Sequence, residues 1–392
     1  MVWLGFFLAI AALLIISQKN LGIAMFVGAI ILGILTSPER LTVAFWSAVT
    51  SSSTILLAVI VGIIPIIGGT LKASGQMDDL VNNMRIGKKA FLMFSPALVG
   101  MLPMPGGALL SAPLIEKGGK DVSKEKKAGL NVWFRHILYL VYPLAPSLIV
   151  SAEVAQLDVY QAIPYLAPAL FFSLILGYFF FLRNISGKMD YKKEFSLKKL
   201  LLPLTAILIA PILDVLIKTL FNPTIQEIAT LVGVSISLLV AVAIGRVGLK
   251  NLGKIALEAK PWNFALMIVG IMVFLNVFKS SGILQLIENL NITSEILVFI
   301  GFLLGFGTGR IITPAGIIFP MFFTKFGAIS LPTFAITYFS IFLGYILTPV
   351  HPCVSLSVES FKVEIKDYLK ALTPPTFIAL IASLSLLYAM NL

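Results

Sequence analysis

Apolar runs of sixteen to twenty residues recur from one end of this 392-residue chain to the other, and no soluble domain fits between them. A run of that length is what the hydrocarbon core of a bilayer demands of a helix, about 20 apolar residues. The first run, MVWLGFFLAIAALLIIS, has neither a basic leading segment nor a small-residue cleavage site, so a retained span is expected there rather than a signal peptide. Composition agrees. Hydrophobic residues make up 58% of the chain and charged ones 12%, with a mean hydropathy of +1.00, whereas soluble chains carry about 25% charged residues. A water-soluble enzyme, a nucleic-acid-binding module and a disordered regulator are thereby excluded. The single Cys353 allows no internal disulfide.

Ten spans are expected, at about 2–17, 21–37, 54–71, 129–158, 161–182, 200–219, 227–245, 262–278, 331–361 and 371–390. Two further apolar stretches, 90–115 and 294–324, are interrupted in their middles by PMPGG (Pro103 to Gly107) and GTGRIITPAG (Gly307 to Gly316). Backbone broken at membrane depth has to be buried in protein or line a cavity, so each stretch is a broken span or a re-entrant hairpin. The basic residues choose between these. With two hairpins, Lys19, the cluster from Lys72 to Lys127, the loop from Arg183 to Lys199, the stretch from Arg246 to Lys260, and Lys362, Lys366 and Lys370 all share one face. Only Arg40, Lys218, Lys279 and Lys325 fall on the other, with Arg135 and Arg310 inside the membrane. The net charge of +11 therefore follows topology and implies no nucleic-acid partner. Both termini are expected outside, in a multi-pass protein of the cell (inner or plasma) membrane.

The chain also repeats itself. Lys72-Ala73-Ser74-Gly75 recurs as Lys279-Ser280-Ser281-Gly282, and YPLAPSLIVSAE (Tyr142 to Glu153) recurs as TPVHPCVSLSVE (Thr348 to Glu359) at nearly the same offset. Pro143, Pro146, Ser151 and Glu153 thus align with Pro349, Pro352, Ser357 and Glu359, and an interrupted hairpin lies between the anchors in both copies. Five spans separate equivalent points, which turns the second copy upside down. The expected fold is an all-α polytopic membrane protein of about ten transmembrane helices and two re-entrant hairpins. Its inverted repeats cover 1–182 and 200–392, joined by a cytoplasmic linker at 183–199. Inverted repeats with broken helices meeting at the midplane mark secondary transporters.

At PMPGGALLSAP and its counterpart in the second half, the sequence resembles the ion transporter superfamily, which includes dicarboxylate, citrate and gluconate carriers. Within it, the likeness is greatest to a family of bacterial and archaeal integral membrane proteins of unknown function. The resemblance implies a homodimer in which a mobile transport domain moves like an elevator against a scaffold. It also implies that substrate and coupling ions sit at Pro103 to Gly107, Tyr142 to Ser147, Thr308 to Gly316 and Thr348 to Cys353. Neither hairpin tip bears the Ser-Asn-Thr triplet of the sodium-coupled dicarboxylate carriers, so proton coupling is expected in preference to sodium.

Half-helices that begin at mid-membrane breaks point free N–H groups and a positive dipole end at the break, and four of them converging favour an anion. The expected binding positions are Pro105, Gly106, Gly107, Ser147, Thr308, Gly309, Arg310, Thr313, Pro314, Gly316, Thr348 and His351, with the breaks made by Pro143, Pro146, Pro349 and Pro352. A charge at the helix centre costs roughly 2.5–3.5 kcal/mol on insertion scales. Arg310 therefore needs a partner, either a substrate carboxylate or an internal group such as a backbone carbonyl. His351 and His136 are candidate proton carriers because imidazole titrates near neutrality, the alternative being neutral rings that fill hydrogen-bond gaps. Arg135 is expected to reach toward the cytoplasmic interface. Glu153 and Glu359, each seven residues past a break proline and so about 10 Å along the helix, read as structural or gating residues, with a proton site as the alternative. The stretch 246–261 reads as an amphipathic arm at the interface.

The resulting expectation is a secondary carrier of a small organic anion, with no cofactor and no metal site beyond room for a bound Na+. Three alternatives stand beside it. A sodium-coupled carrier would use backbone carbonyls of the breaks. A cation/proton antiporter would need buried carboxylates, and neither the tips nor the breaks contain one. An intramembrane enzyme would need a catalytic constellation, and the i,i+2 spacing of His351 and Cys353 would not bring their side chains together on a helix. No P-loop motif is present for ATP-driven transport.

Overall fold

The computed structural model describes residues 1–101, 107–191 and 194–391, and every regular element among them is helical. The first ten helices are α1 (Val2–Ser17), α2 (Leu21–Thr36), α3 (Pro38–Val49), α4 (Ser52–Ala73), α5 (Gln76–Asn82), α6 (Lys88–Gly100), α7 (Gly107–Gly118), α8 (Lys124–Ile137), α9 (Pro146–Val154) and α10 (Val159–Gly177). A π-helical turn over Tyr178–Leu182 lengthens α10. The second ten are α11 (Leu197–Phe221), α12 (Glu227–Gly245), α13 (Leu249–Ala259), α14 (Pro261–Ser280), α15 (Ile283–Glu288), α16 (Ser294–Thr308), α17 (Ile312–Phe326), α18 (Leu331–Leu347), α19 (Pro352–Phe361) and α20 (Ile365–Asn391).

The two sets come in the same order, down to single dihedral angles. Gly75 and Gly282 start α5 and α15 at φ values of 74° and 75°, a left-handed turn that glycine makes without penalty. Pro146 and Pro352 open α9 and α19, where the missing N–H and fixed φ suit a first helical position. Gln156 and Lys362 follow those two helices at φ 54° and 53°. The expected hairpins are the helix pairs α6/α7 and α16/α17, each packed arm against arm. The expected broken helix 129–158 corresponds to α8 and α9, separated by an irregular stretch, with α8 starting earlier, at Lys124. The spans at Ser52–Ala73, Val159–Leu182, Leu197–Phe221, Glu227–Gly245, Pro261–Ser280, Leu331–Phe361 and Ile365–Met390 are long and apolar enough to cross a membrane. Helices α1, α2, α16 and α17 are shorter apolar helices. Asn20, Asp158 and Ser330 cap α2, α10 and α18 by accepting from backbone N–H groups at 3.0, 3.0 and 3.2 Å.

Contacts divide the helices into two groups. One contains α1–α5 with α11–α15, the other α6–α10 with α16–α20, and α15 and α14 meet α17 and α1 meets α16 at the seam. Within the second group α16 and α18 cross backbone against backbone at two glycines. A Cβ on Gly305 would strike the Ile341 carbonyl, and one on Gly344 would strike the Phe302 carbonyl. Such small-residue crossings let backbones approach closely where lipid supplies no hydrophobic drive for helix association. In the connection after α7, Lys88 donates to Asp121 at 2.5 Å and holds that carboxyl below its ordinary range.

Candidate functional site

The site starts at the turn of the second hairpin. Thr308 closes α16 by donating its hydroxyl to the Leu304 carbonyl at 2.7 Å and accepting from the Arg310 N–H at 3.2 Å. Between them Gly309 adopts φ 61°, and a Cβ there would lie 2.9 Å from the His351 nitrogen. Only glycine satisfies both demands, and the result is a hairpin tip pressed against the second helix break. Arg310 then extends across the seam. Its Nε and Nη2 donate to the Ser17 carbonyl at 3.1 and 2.6 Å. Ser17 is the last residue of α1, so its carbonyl has no helical partner, and a cation there also complements the negative helix end. Of the two partners considered for Arg310, the internal backbone carbonyl is the one present; a single oxygen leaves further guanidinium hydrogens uncommitted.

The second break supplies the opposite wall. Thr348 accepts the Val350 N–H at 3.2 Å, and His351 stands as the extended N-cap of α19, φ −69° and ψ 123°. Its ring stacks on Tyr345 at 4.0 Å between centroids, and its Nδ1 is 3.2 Å from the Tyr345 carbonyl. His136, in the last turn of α8, reaches the same place: its ring centroid is 4.8 Å from that of His351, and its Nδ1 is 2.8 Å from the Val132 carbonyl. Because His351 precedes α19 instead of lying on it, the helical-spacing argument against its meeting Cys353 fails. The metal-ligating atoms of His136, His351 and Cys353 lie within 4.8 Å of one another.

Arg135 is the second correction. Expected near the cytoplasmic interface, it is only 3% exposed. Its Nη1 is 3.4 Å from the Ser111 hydroxyl, and Cys353 is among its neighbours. Room for it comes from two glycines: a Cβ on Gly107 would overlap the guanidinium, and one on Gly100 the Arg135 carbonyl. No carboxylate pairs with Arg135 or Arg310 among the described residues.

A cavity of about 230 Å³ lies at the seam, between Leu21, Phe264 and Met267 of one helix group and Tyr139, Arg310 and His351 of the other. Ser147 and Pro146, at the start of α9, also line it, with the Ser147 hydroxyl 3.0 Å from that of Tyr338. Thr313, Pro314 and Gly316 are buried in the first turns of α17, and the Thr313 hydroxyl has no hydrogen-bond partner among the described residues. Gly107 begins α7, while Pro105 and Gly106 lie outside the described residues. Pro143 and Pro349 sit in the two irregular breaks. Glu153 lines a different cavity, of about 440 Å³, with Asp214 and Glu227. There the Ser53 hydroxyl lies 3.4 Å from Glu153 and bonds Glu227 closely. Glu359 is exposed on α19. In the 246–261 stretch, α13 buries Ile255 and Ala259 and exposes Leu249 and Leu257.

Comparison with known proteins places the chain. Residues 2–390 match a family model described as a protein of unknown function, DUF401, and the chain belongs to that family. No curated protein matches it in sequence. Among solved structures, it is similar to the YdaH transporter of Alcanivorax borkumensis, with a TM-score of 0.62 at 13% identity, covering 93% of this chain and 95% of that one. It is also similar to MtrF of Neisseria gonorrhoeae, described within a class of antimetabolite efflux pumps, with a TM-score of 0.51 at 14% identity, covering 90% of this chain and 83% of that one. These likenesses establish a fold shared with multi-pass membrane transporters.

Proposed function

We propose that this protein is a secondary active carrier of a small organic anion, working by elevator-type alternating access and coupled to protons. One observation carries the reading: Arg135 and Arg310 are two inward-lying guanidinium groups, at or beside a seam cavity, and no carboxylate among the described residues answers either. A carboxylate cargo would supply the missing charge through forked hydrogen bonds. The N-termini of α9 and α19 at the cavity wall add positive dipole ends.

The two helix groups suit the elevator reading, with α1–α5 and α11–α15 as scaffold and α6–α10 and α16–α20 as the moving body. Arg310 ties the moving hairpin to the scaffold through Ser17; an anion competing for the guanidinium would loosen that tie as it binds. In this reading 1–182 and 200–392 are inverted repeats, 183–199 is a cytoplasmic linker, both termini lie outside, and the carrier is a homodimer placed in the ion transporter superfamily. Proton coupling rests on the absence of a Ser-Asn-Thr triplet at either tip.

A thermal-shift screen of the purified protein against organic acids, at two pH values and with and without sodium, tests the cargo. Uptake of the stabilising acid into liposomes under an imposed pH gradient tests the coupling. Stabilisation by no organic acid would overturn the anion reading. Uptake that requires sodium and ignores the pH gradient would move coupling to sodium held by the backbone carbonyls of the breaks.

A further inference from the structure

We infer that His136, His351 and Cys353 form a binding site for a thiophilic divalent metal ion, zinc above all, with its fourth coordination position facing the seam cavity. The inference is independent of the carrier reading. It begins from the way each imidazole is held. The Nδ1 of His136 is committed to the Val132 carbonyl at 2.8 Å and that of His351 to the Tyr345 carbonyl at 3.2 Å. A backbone carbonyl accepts only from a protonated Nδ1, so both rings keep the tautomer whose Nε2 lone pair is free. Orientation of a ligating histidine through its other nitrogen is the usual second shell of a metal site. No described residue hydrogen-bonds to either Nε2, and both rings are buried, 1% and 2% exposed.

The third ligand has the right chemistry. The possible ligand atoms of the three residues lie within 4.8 Å of one another, and ligands on a tetrahedral zinc at bond lengths of about 2.0–2.3 Å stand roughly 3.3–3.6 Å apart. Side-chain rotation closes that difference. Two imidazoles and a thiolate select zinc or copper over magnesium or calcium, which take oxygen ligands. On binding, a metal–sulfur bond forms, the Cys353 S–H bond breaks, and the proton leaves to solvent through the cavity. Arg135 is a neighbour of Cys353 and would remain outside the ligand shell. His351 and Cys353 both line the cavity, so the open position faces it, and with three protein ligands a tetrahedral zinc keeps that fourth position for water or a small ligand.

Cobalt(II) serves as the spectroscopic probe, titrated into the full-length protein in detergent after removal of metal by a chelator. The expected result is one equivalent bound with a thiolate-to-cobalt charge-transfer band and tetrahedral visible bands, both displaced by zinc. Cys353→Ser should remove the charge-transfer band, and His136→Gln should weaken binding at least tenfold. The native protein's spectrum needs no variant, so the test survives a variant that fails to fold. Cobalt that gives only weak octahedral bands, or a charge-transfer band that persists in Cys353→Ser, would overturn the site. Anion-dependent stabilisation, measured with chelator present, reports on the carrier reading separately.

Discussion

Replacing Arg310 separates the two things its guanidinium is placed to do. The Ser17 carbonyl receives two of its N–H groups, at 3.1 and 2.6 Å. Hydrogen bonds from a charged donor contribute roughly 1.5–3 kcal/mol, and a cation at a helix C-terminus adds roughly 0.3–1 kcal/mol. Release of a desolvated charge offsets part of this, so Arg310→Gln should lower the stability of the ligand-free protein by about 1–2 kcal/mol. An anion present at a hundred times its Kd stabilises the native protein by about 2.7 kcal/mol. Loss of about 2 kcal/mol of charge-assisted contact weakens binding roughly thirtyfold, and the same anion concentration then stabilises by only about 0.9 kcal/mol. Arg310→Lys keeps a point charge that reaches one carbonyl and loses the planar fork. It should therefore retain most of the ligand-free stability while losing most of the anion's effect. Melting curves in detergent, with and without the acid found by screening, read both quantities. Full anion stabilisation in Arg310→Gln would show that Arg310 does not touch the cargo. An unchanged ligand-free melting temperature would show that the bond to Ser17 holds nothing.

Other perturbations test other parts of the structure. In a chain whose only cysteine is the introduced one, a cysteine at Lys124 should label from the cytoplasm and one at Lys325 from outside; labelling of both from one face would refute the inverted arrangement. Gly309→Ala places a Cβ 2.9 Å from the His351 nitrogen at a positive φ, so the melting temperature should fall by the equivalent of about 1–3 kcal/mol, and an unchanged value would mean the tip does not press on the break. Asp121→Asn should destabilise by under about 1 kcal/mol at neutral pH, since exposed ion pairs contribute little. The Asp121 carboxyl is depressed by Lys88 from a usual value of 3.8, so its contribution is present above that value and disappears as pH falls through the lowered one. Melts of both proteins should therefore converge in acid, and a gap that persists there would mean the side chain acts otherwise than through its charge.

The helix breaks were legible in the sequence where prolines and glycines recur at matching positions of the two halves; single prolines such as Pro65 and Pro211 lie inside unbroken helices. Pro146 and Pro352 open helices, and the tip at Gly309 turns where the glycine lies. What the sequence hid depended on neighbours that carry no side chain. Arg135 reads as an interfacial cation by its spacing, and it is buried only because Gly100 and Gly107 let α6 and α7 close over it. The approach of His136 to His351 joins residues more than two hundred positions apart, and no periodic pattern records such a meeting. The helical spacing that separates Cys353 from His351 in sequence does not apply, since His351 stands one residue ahead of the helix. Glu227 carries no local motif, and its role beside Ser53 and Glu153 emerges only when α4, α9 and α12 come together.

The backbone-to-backbone crossing at Gly305 and Gly344 has a mechanical consequence. It joins the helix that leads to Arg310 to the helix that leads to His351, with the two backbones in direct contact at that point. Whatever carries Arg310 carries His351, so on the carrier reading that wall moves as one body past Leu21, Phe264 and Met267, which stay with the scaffold. The geometry between Arg310 and His351 then stays constant during movement, and what changes around the cargo is the scaffold side of the cavity.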